Sequence, residues 1–87
     1  MSPNDLKQQT LANLRGGLNF LPGSNEASAA MVIGLHLAAL GTMRQHGYIT
    51  AEEAVMEART LFAAVEDAHP GRWEALGGPP MPDALKA

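Results

Sequence analysis

The 87-residue chain contains no cysteine. It can build neither a disulfide framework nor a thiolate metal site, and chemistry on a sulfur nucleophile is excluded; this composition accords with a cytoplasmic setting. Aromatic residues are almost as scarce, being limited to Phe20, Tyr48, Phe62 and Trp73, whereas Ala, Leu, Met and Gly abound. Strands are enriched in β-branched and aromatic residues, so the balance favours an all-α fold of closely packed helices. Cations are few as well. With six Lys and Arg against nine Asp and Glu, the net charge is -3, and no basic face is available to neutralise a phosphate backbone. Nucleic acid is therefore not an expected partner. The longest apolar run, Ala27 to Met43, includes His36 and Thr42, falls short of the roughly 20 residues that span a bilayer, and has no basic flank of the signal-peptide kind. It reads as a buried helix rather than a membrane segment.

Three helices can be placed from their end signals. Ser2-Pro3-Asn4-Asp5 supplies an N-cap, a proline at the first helical position and an acid three residues after the cap. Leu6, Leu11 and Leu14 follow, and Gly16-Gly17 is expected to stop the helix in a left-handed conformation. Leu18, Phe20 and Leu21 precede Pro22-Gly23, so the connection is expected to fold back and add apolar side chains to the core. Ser24 is the predicted N-cap of a second helix over residues 25 to 46, closed by Gly47. The third helix has the strongest start signal: Ile49 as hydrophobic staple, Thr50 as N-cap and Glu53 closing a capping box. Its apolar stripe is Ala54, Val55, Ala58, Leu61, Phe62 and Val65, and Pro70-Gly71 ends it near His69. The turn from Gly47 to Ala54 resembles the connection of many unrelated helical hairpins, which capping alone explains.

Beyond the third helix, Trp73 and Leu76 are expected to lie against the bundle. The run Gly77-Gly78-Pro79-Pro80-Met81-Pro82 restricts the backbone and offers few anchors. Residues 1–76 therefore read as the helical domain and residues 77–87 as a flexible tail that contributes little to folding.

No constellation in the chain names a reaction. His36, His46 and His69 have neither the i, i+4 spacing nor the His-Glu-x-x-His pattern of a helical zinc site, and the glycine pairs are not spaced as a phosphate loop. No catalytic residue, cofactor or metal is expected. His36, inside the apolar helix, is a candidate pH-sensitive group at a subunit interface. Charge is uneven: residues 1–47 hold three basic and two acidic groups (+1), and residues 48–87 hold three basic and seven acidic groups (-4). Glu52, Glu53, Glu57, Glu66 and Asp67 fall off the apolar stripe of the third helix, forming a candidate surface for a basic protein partner. Placed at the N-terminal end of a DNA-reading helix, the first three would meet phosphates.

At 100° per residue the second helix separates a stripe of small side chains, Ala27, Ala30, Gly34, Ala38 and Gly41, from a bulkier surface of Val32, His36, Leu40 and Met43. A helix apolar nearly all round needs cover nearly all round, and two neighbours supply about half of it. The expectation is a three-helix domain on an antiparallel hairpin, completed by homodimerisation through one of these two faces. Functionally, it reads as a small non-enzymatic protein-protein interaction module, a regulator or inhibitor docking an acidic helix on a larger protein. The alternatives are a small oligomeric enzyme or ligand-binding protein with its site between subunits, and a helix-turn-helix DNA binder, which the acidic residues oppose. Replacing the Thr50 cap with Ala should lower stability by about 1 kcal/mol in denaturant unfolding; an unchanged midpoint would place the helix start elsewhere.

Overall fold

A computed structural model describes residues 2–82. Among them are three helices, α1 (Pro3–Gly16), α2 (Glu26–Gln45) and α3 (Ala51–Ala68), with a 3-10 turn over Gly17–Phe20 and no strand. Local chemistry fixes the helix starts. The Ser2 hydroxyl accepts from the Asp5 amide at 3.1 Å, the Thr50 hydroxyl accepts from the Glu53 amide at 3.1 Å, and in each case the acid reaches back to the cap amide. Both capping boxes thus satisfy amides that the first turn leaves without carbonyl partners.

Two boundaries differ from the sequence expectation. Asn25, not Ser24, caps α2, its side chain accepting from the Ser28 amide at 2.8 Å. The Ser24 hydroxyl is used elsewhere. Gly17 stays right-handed at φ -62°, so α1 runs directly into the 3-10 turn instead of ending in a left-handed cap. The left-handed glycine appears where a reversal is sharper, at Gly47 (φ 75°), between the end of α2 and the Ile49-Thr50 start of α3.

That reversal makes α2 and α3 an antiparallel pair, as the core contacts show. Near the start of α2, Ala29 and Ile33 are buried with Leu61 and Val65 from the second half of α3. Near its end, Leu40 and Met43 are buried with Ile49, against Ala54 and Ala58. α1 joins this second cluster through Leu11, with Leu14 beside it, while Leu21 from the connection completes the first. Phe20 does not join it and points outward.

The segment after α3 closes the first cluster. Trp73, Leu76 and Met81 are all buried there, and the indole meets Phe62 edge-on with ring centres 5.2 Å apart. The indole Nε1–H donates to the Pro79 carbonyl at 2.6 Å, and a methyl group on Gly78 would overlap the ring. Residues 77–82 are thus packed across Trp73, in contrast to the flexible tail expected from their Pro and Gly content; the rest of that tail, 83–87, lies outside the described residues. Prolines that cannot join a helix still serve as a stiff strap once an aromatic ring is beneath them. Truncation after Leu76 should therefore cost about 3 kcal/mol, from the lost Met81 packing and indole hydrogen bond. Gly78→Ala should destabilise in the same direction. A truncated chain with an unchanged melting temperature would overturn this account.

Candidate functional site

The body is 18 Å deep in its thinnest direction, which accommodates two layers of helix. α2 therefore has an inner side facing α3 and an outer side that nothing among the described residues covers. The bulky face is the inner one: His36, Leu40 and Met43 are buried, and Val32 is half-buried beside the first cluster. These four were candidate interface residues, and the monomer uses them itself, because their side chains fill the space between α2 and its neighbours. Most of the small-residue face is left to water, with Ala27, Gly34, Ala38 and Gly41 exposed, whereas Ala30 is half-buried against the first cluster.

The outer side also carries larger residues that sequence reasoning missed. Met31 is 66% exposed, Leu35 67%, and Phe20, projecting from the 3-10 turn, 74%. From Ala27 to Thr42 this surface holds no charged side chain. Scattered exposed apolar residues are ordinary; here they follow one another along one side of a helix. The alternation of Met31 and Leu35 with Gly34 and Ala38 at i, i+3 and i+4 spacing is present in the sequence, but a division of the helix by residue size separates these four and hides it.

Two hollows adjoin the strip on one edge of α2. A groove of about 500 Å³ beside Phe20 is bounded by Ser24, Ser28, Met31, Val32 and Leu35. Toward the other end of α2, a cleft of about 530 Å³ lies between α1 and α2, walled by Pro3, Leu6, Thr10, Thr42, Met43 and Tyr48. Leu6 and Tyr48 are themselves more than half exposed. By length and composition α2 would also qualify as a membrane-crossing helix, yet its inner side is packed on α3 around a histidine.

The acidic surface proposed for α3 is changed by the structure. Glu57 is only 7% exposed and receives both Nε (2.9 Å) and Nη2 (2.8 Å) of Arg15 from α1. A wheel places Glu57 off the apolar stripe, but α1 lies over that position and brings a cation to it, so it cannot meet a partner. Hydrogen bonds to Glu57, and then its charge, hold the Arg15 guanidinium above its ordinary value. Glu53 is paired with Lys7 at 2.6 Å, which together with the Thr50 amide pulls its carboxyl below the usual range. Glu66 accepts from the Gly71 amide at 3.2 Å. Glu52 and Asp67 remain on the exposed side of α3. They lie 15 residues apart, about 22 Å along the helix, so no compact acidic patch is left.

Two histidines have defined environments. His36 is buried, and its Nε2 has no hydrogen-bond partner among the described residues. Burial pushes its pKa below the ordinary value, while the Glu57 charge opposes that shift. His69 Nε2 is 3.0 Å from the Ser24 hydroxyl, a pairing that invites comparison with a nucleophile and its base. That hydroxyl, however, donates to the Leu21 carbonyl at 2.6 Å, so Nε2 is the donor and the pair is a strut joining the loop before α2 to the end of α3. Arg72 and Glu26 reinforce the same junction at 3.1–3.2 Å, and Arg72 holds the Glu26 carboxyl below its usual range. Among the described residues, no three His, Asp or Glu side chains converge as a metal site.

Comparison with protein-family models, with curated proteins and with solved structures finds no match to the chain. The surface must be interpreted from its own chemistry.

Two outcomes follow for the buried polar cluster. Arg15→Ala should cost about 2–3 kcal/mol by leaving a buried carboxylate unpaired, somewhat less than for a fully enclosed pair because Arg15 is half exposed. For His36, a folded-state pKa below the unfolded value of about 6.5 means that the unfolded chain takes up the proton first, so its contribution is complete above pH 6.5 and is lost as pH falls below it. Denaturation midpoints measured from pH 8 to 5 should fall more steeply for the wild type than for His36→Phe; parallel curves would discount the histidine.

Proposed function

We propose that the chain is a small, non-enzymatic interaction module that works by self-association, two copies meeting through the outer side of α2. The observation that carries this reading is the uncharged strip from Ala27 to Thr42, with Phe20, Met31 and Leu35 each two-thirds or more exposed on or beside it. A lone domain keeping that strip in water forfeits about 25 cal/mol for each Å² of apolar surface that a partner would remove. A twofold pairing is the simplest cover, because one patch then serves both copies. Small side chains at Gly34, Ala38 and Gly41 allow a second helix to approach closely, and the larger ones beside them give the contact area. A regulatory or inhibitory role would be exercised through this assembly. The buried Glu57 and paired Glu53 take the acidic helix out of the part first assigned to it.

Sedimentation or light scattering tests the reading directly. The purified chain should have twice its 9.2 kDa mass at micromolar concentration. Leu35→Glu should return it to monomer mass without loss of helical circular dichroism, since the side chain it replaces is mostly in water. A wild-type chain that stays at monomer mass at several hundred micromolar would overturn it.

A further inference from the structure

His36 is 3% exposed on the inner side of α2, and its Nε2 is an orphan among the described residues. Neither tautomer repairs this. With its hydrogen the atom is a donor without an acceptor, and without it an acceptor without a donor. A phenyl ring would fill the same space without that loss, so packing alone does not account for an imidazole here.

The register of the hairpin sets what faces it. Ile33 is buried with Leu61 on one side of His36, and Leu40 packs with Ala54 on the other, so the α3 residues opposite His36 are Glu57 and Ala58. Glu57 is the charged group that α3 brings to it, and Arg15, bonded to both Glu57 oxygens, is the one that α1 brings. α2 has no charged side chain between Ala27 and Thr42, and the Gly17–Phe20 turn has none. The next carboxylate along α3, Glu53, is about one turn away and is taken by Lys7.

These three groups are unequally free to move. Glu57 and His36 are enclosed, whereas the Arg15 side chain is 48% exposed and can complete its hydrogen bonds in water. A proton taken from solvent by His36 puts a second cation beside one carboxylate and gives Nε2 a hydrogen that needs an acceptor. The anionic acceptor on the facing helix is Glu57, and both of its oxygens are in use. The imidazolium is satisfied only when Arg15 gives one up. We propose that His36, Glu57 and Arg15 form an acid-released latch, in which proton uptake at His36 transfers the Glu57 carboxylate from Arg15 to the imidazolium and loosens α1 from the hairpin.

α1 has little else to hold it. Its other attachments are Leu11, Leu14 and the Lys7–Glu53 pair, which is partly in water, where an ion pair is weak. α2 and α3 share residues in both core clusters, so acid acts on α1 before it acts on the hairpin. Release of α1 uncovers Leu40 and Met43, which are buried with Leu11. The loosened state holds the His36 proton more tightly, because Glu57 is no longer shared with Arg15. Acid therefore shifts the population toward it, by up to tenfold for each unit by which the His36 pKa differs between the two states. The latch lies on the inner side of α2 and is independent of whether its outer side meets a second copy.

Amide hydrogen exchange on the full-length chain, corrected for the intrinsic effect of pH, tests the latch. From pH 7.5 to pH 5.0 the protection of Leu11 and Leu14 in α1 should fall at least tenfold more than that of Leu61 and Val65 in α3. His36→Gln, which cannot take up the proton, should remove this difference while keeping the helical circular dichroism. In Arg15→Gln, where Glu57 is free to pair with the imidazolium, the His36 ring titration followed by nuclear magnetic resonance should move up by about one pH unit or more. A purely structural histidine would not respond in that way. Wild-type protection that is unchanged, or that falls in parallel in α1 and α3, would overturn the latch, as would a His36 titration indifferent to Arg15→Gln. If His36→Gln fails to fold, the wild-type exchange and the Arg15→Gln titration still decide the matter.

Discussion

The Glu57 carboxylate lies where all three helices meet, and its pairing with Arg15 constrains everything around it. Glu57 comes from α3, Arg15 from α1, and the charge acts on His36 of α2. α1 shares little apolar surface with the hairpin beyond Leu11 and Leu14. Without a cation over Glu57 a charge would be left stranded at the junction, and with it α1 has one fixed position and register. Fully enclosed ion pairs often add little net stability over an apolar pair of the same shape. Their better-attested service is to select one arrangement among several, and here the bidentate geometry does that for α1 together with the Lys7–Glu53 pair.

Once α1 is fixed, the remaining organisation follows from how few layers the chain can make. α2 packs its bulky face inward, and nothing among the described residues covers its outer one. The loop before α2 and the segment after α3 are used instead at the end of the bundle, where Ser24 meets His69, Glu26 meets Arg72, and Trp73 is roofed by Gly78 and Pro79. Stabilising contacts are therefore concentrated on the inner side and at that end. The outer side of α2 has kept an apolar strip on a chain that is short of apolar core.

What could be seen in the sequence was what depends on neighbours a few residues away. The Ser2 and Thr50 capping boxes, the Gly47 reversal and the end of α3 at Ala68 are local signals, and each is in place. Glu57 was misplaced because a helical wheel ranks positions by their own helix and cannot register an arginine 42 residues earlier. Met81 is hidden for a related reason: prolines and glycines signal the absence of helix, which is not an absence of packing. The candidate surface was half legible. Gly34, Ala38 and Gly41 were identified, but whether they faced inward or outward depended on where α1 and α3 docked, and the significance of Phe20 required its loop to be placed beside Met31 and Leu35.

The strap over Trp73 has a consequence for watching this molecule at work. The chain has a single tryptophan, and that indole is buried, bonded to a backbone carbonyl and edge-on to Phe62. Its emission colour thus registers the seating of the 77–82 segment, while the far-ultraviolet signal registers α1 to α3. Tyr48, the sole tyrosine, stands at the opposite end of the hairpin beside the α1–α2 cleft. Nature has supplied the protein with two intrinsic dyes, one at each pole, so that opening of either end can be followed without attaching a label.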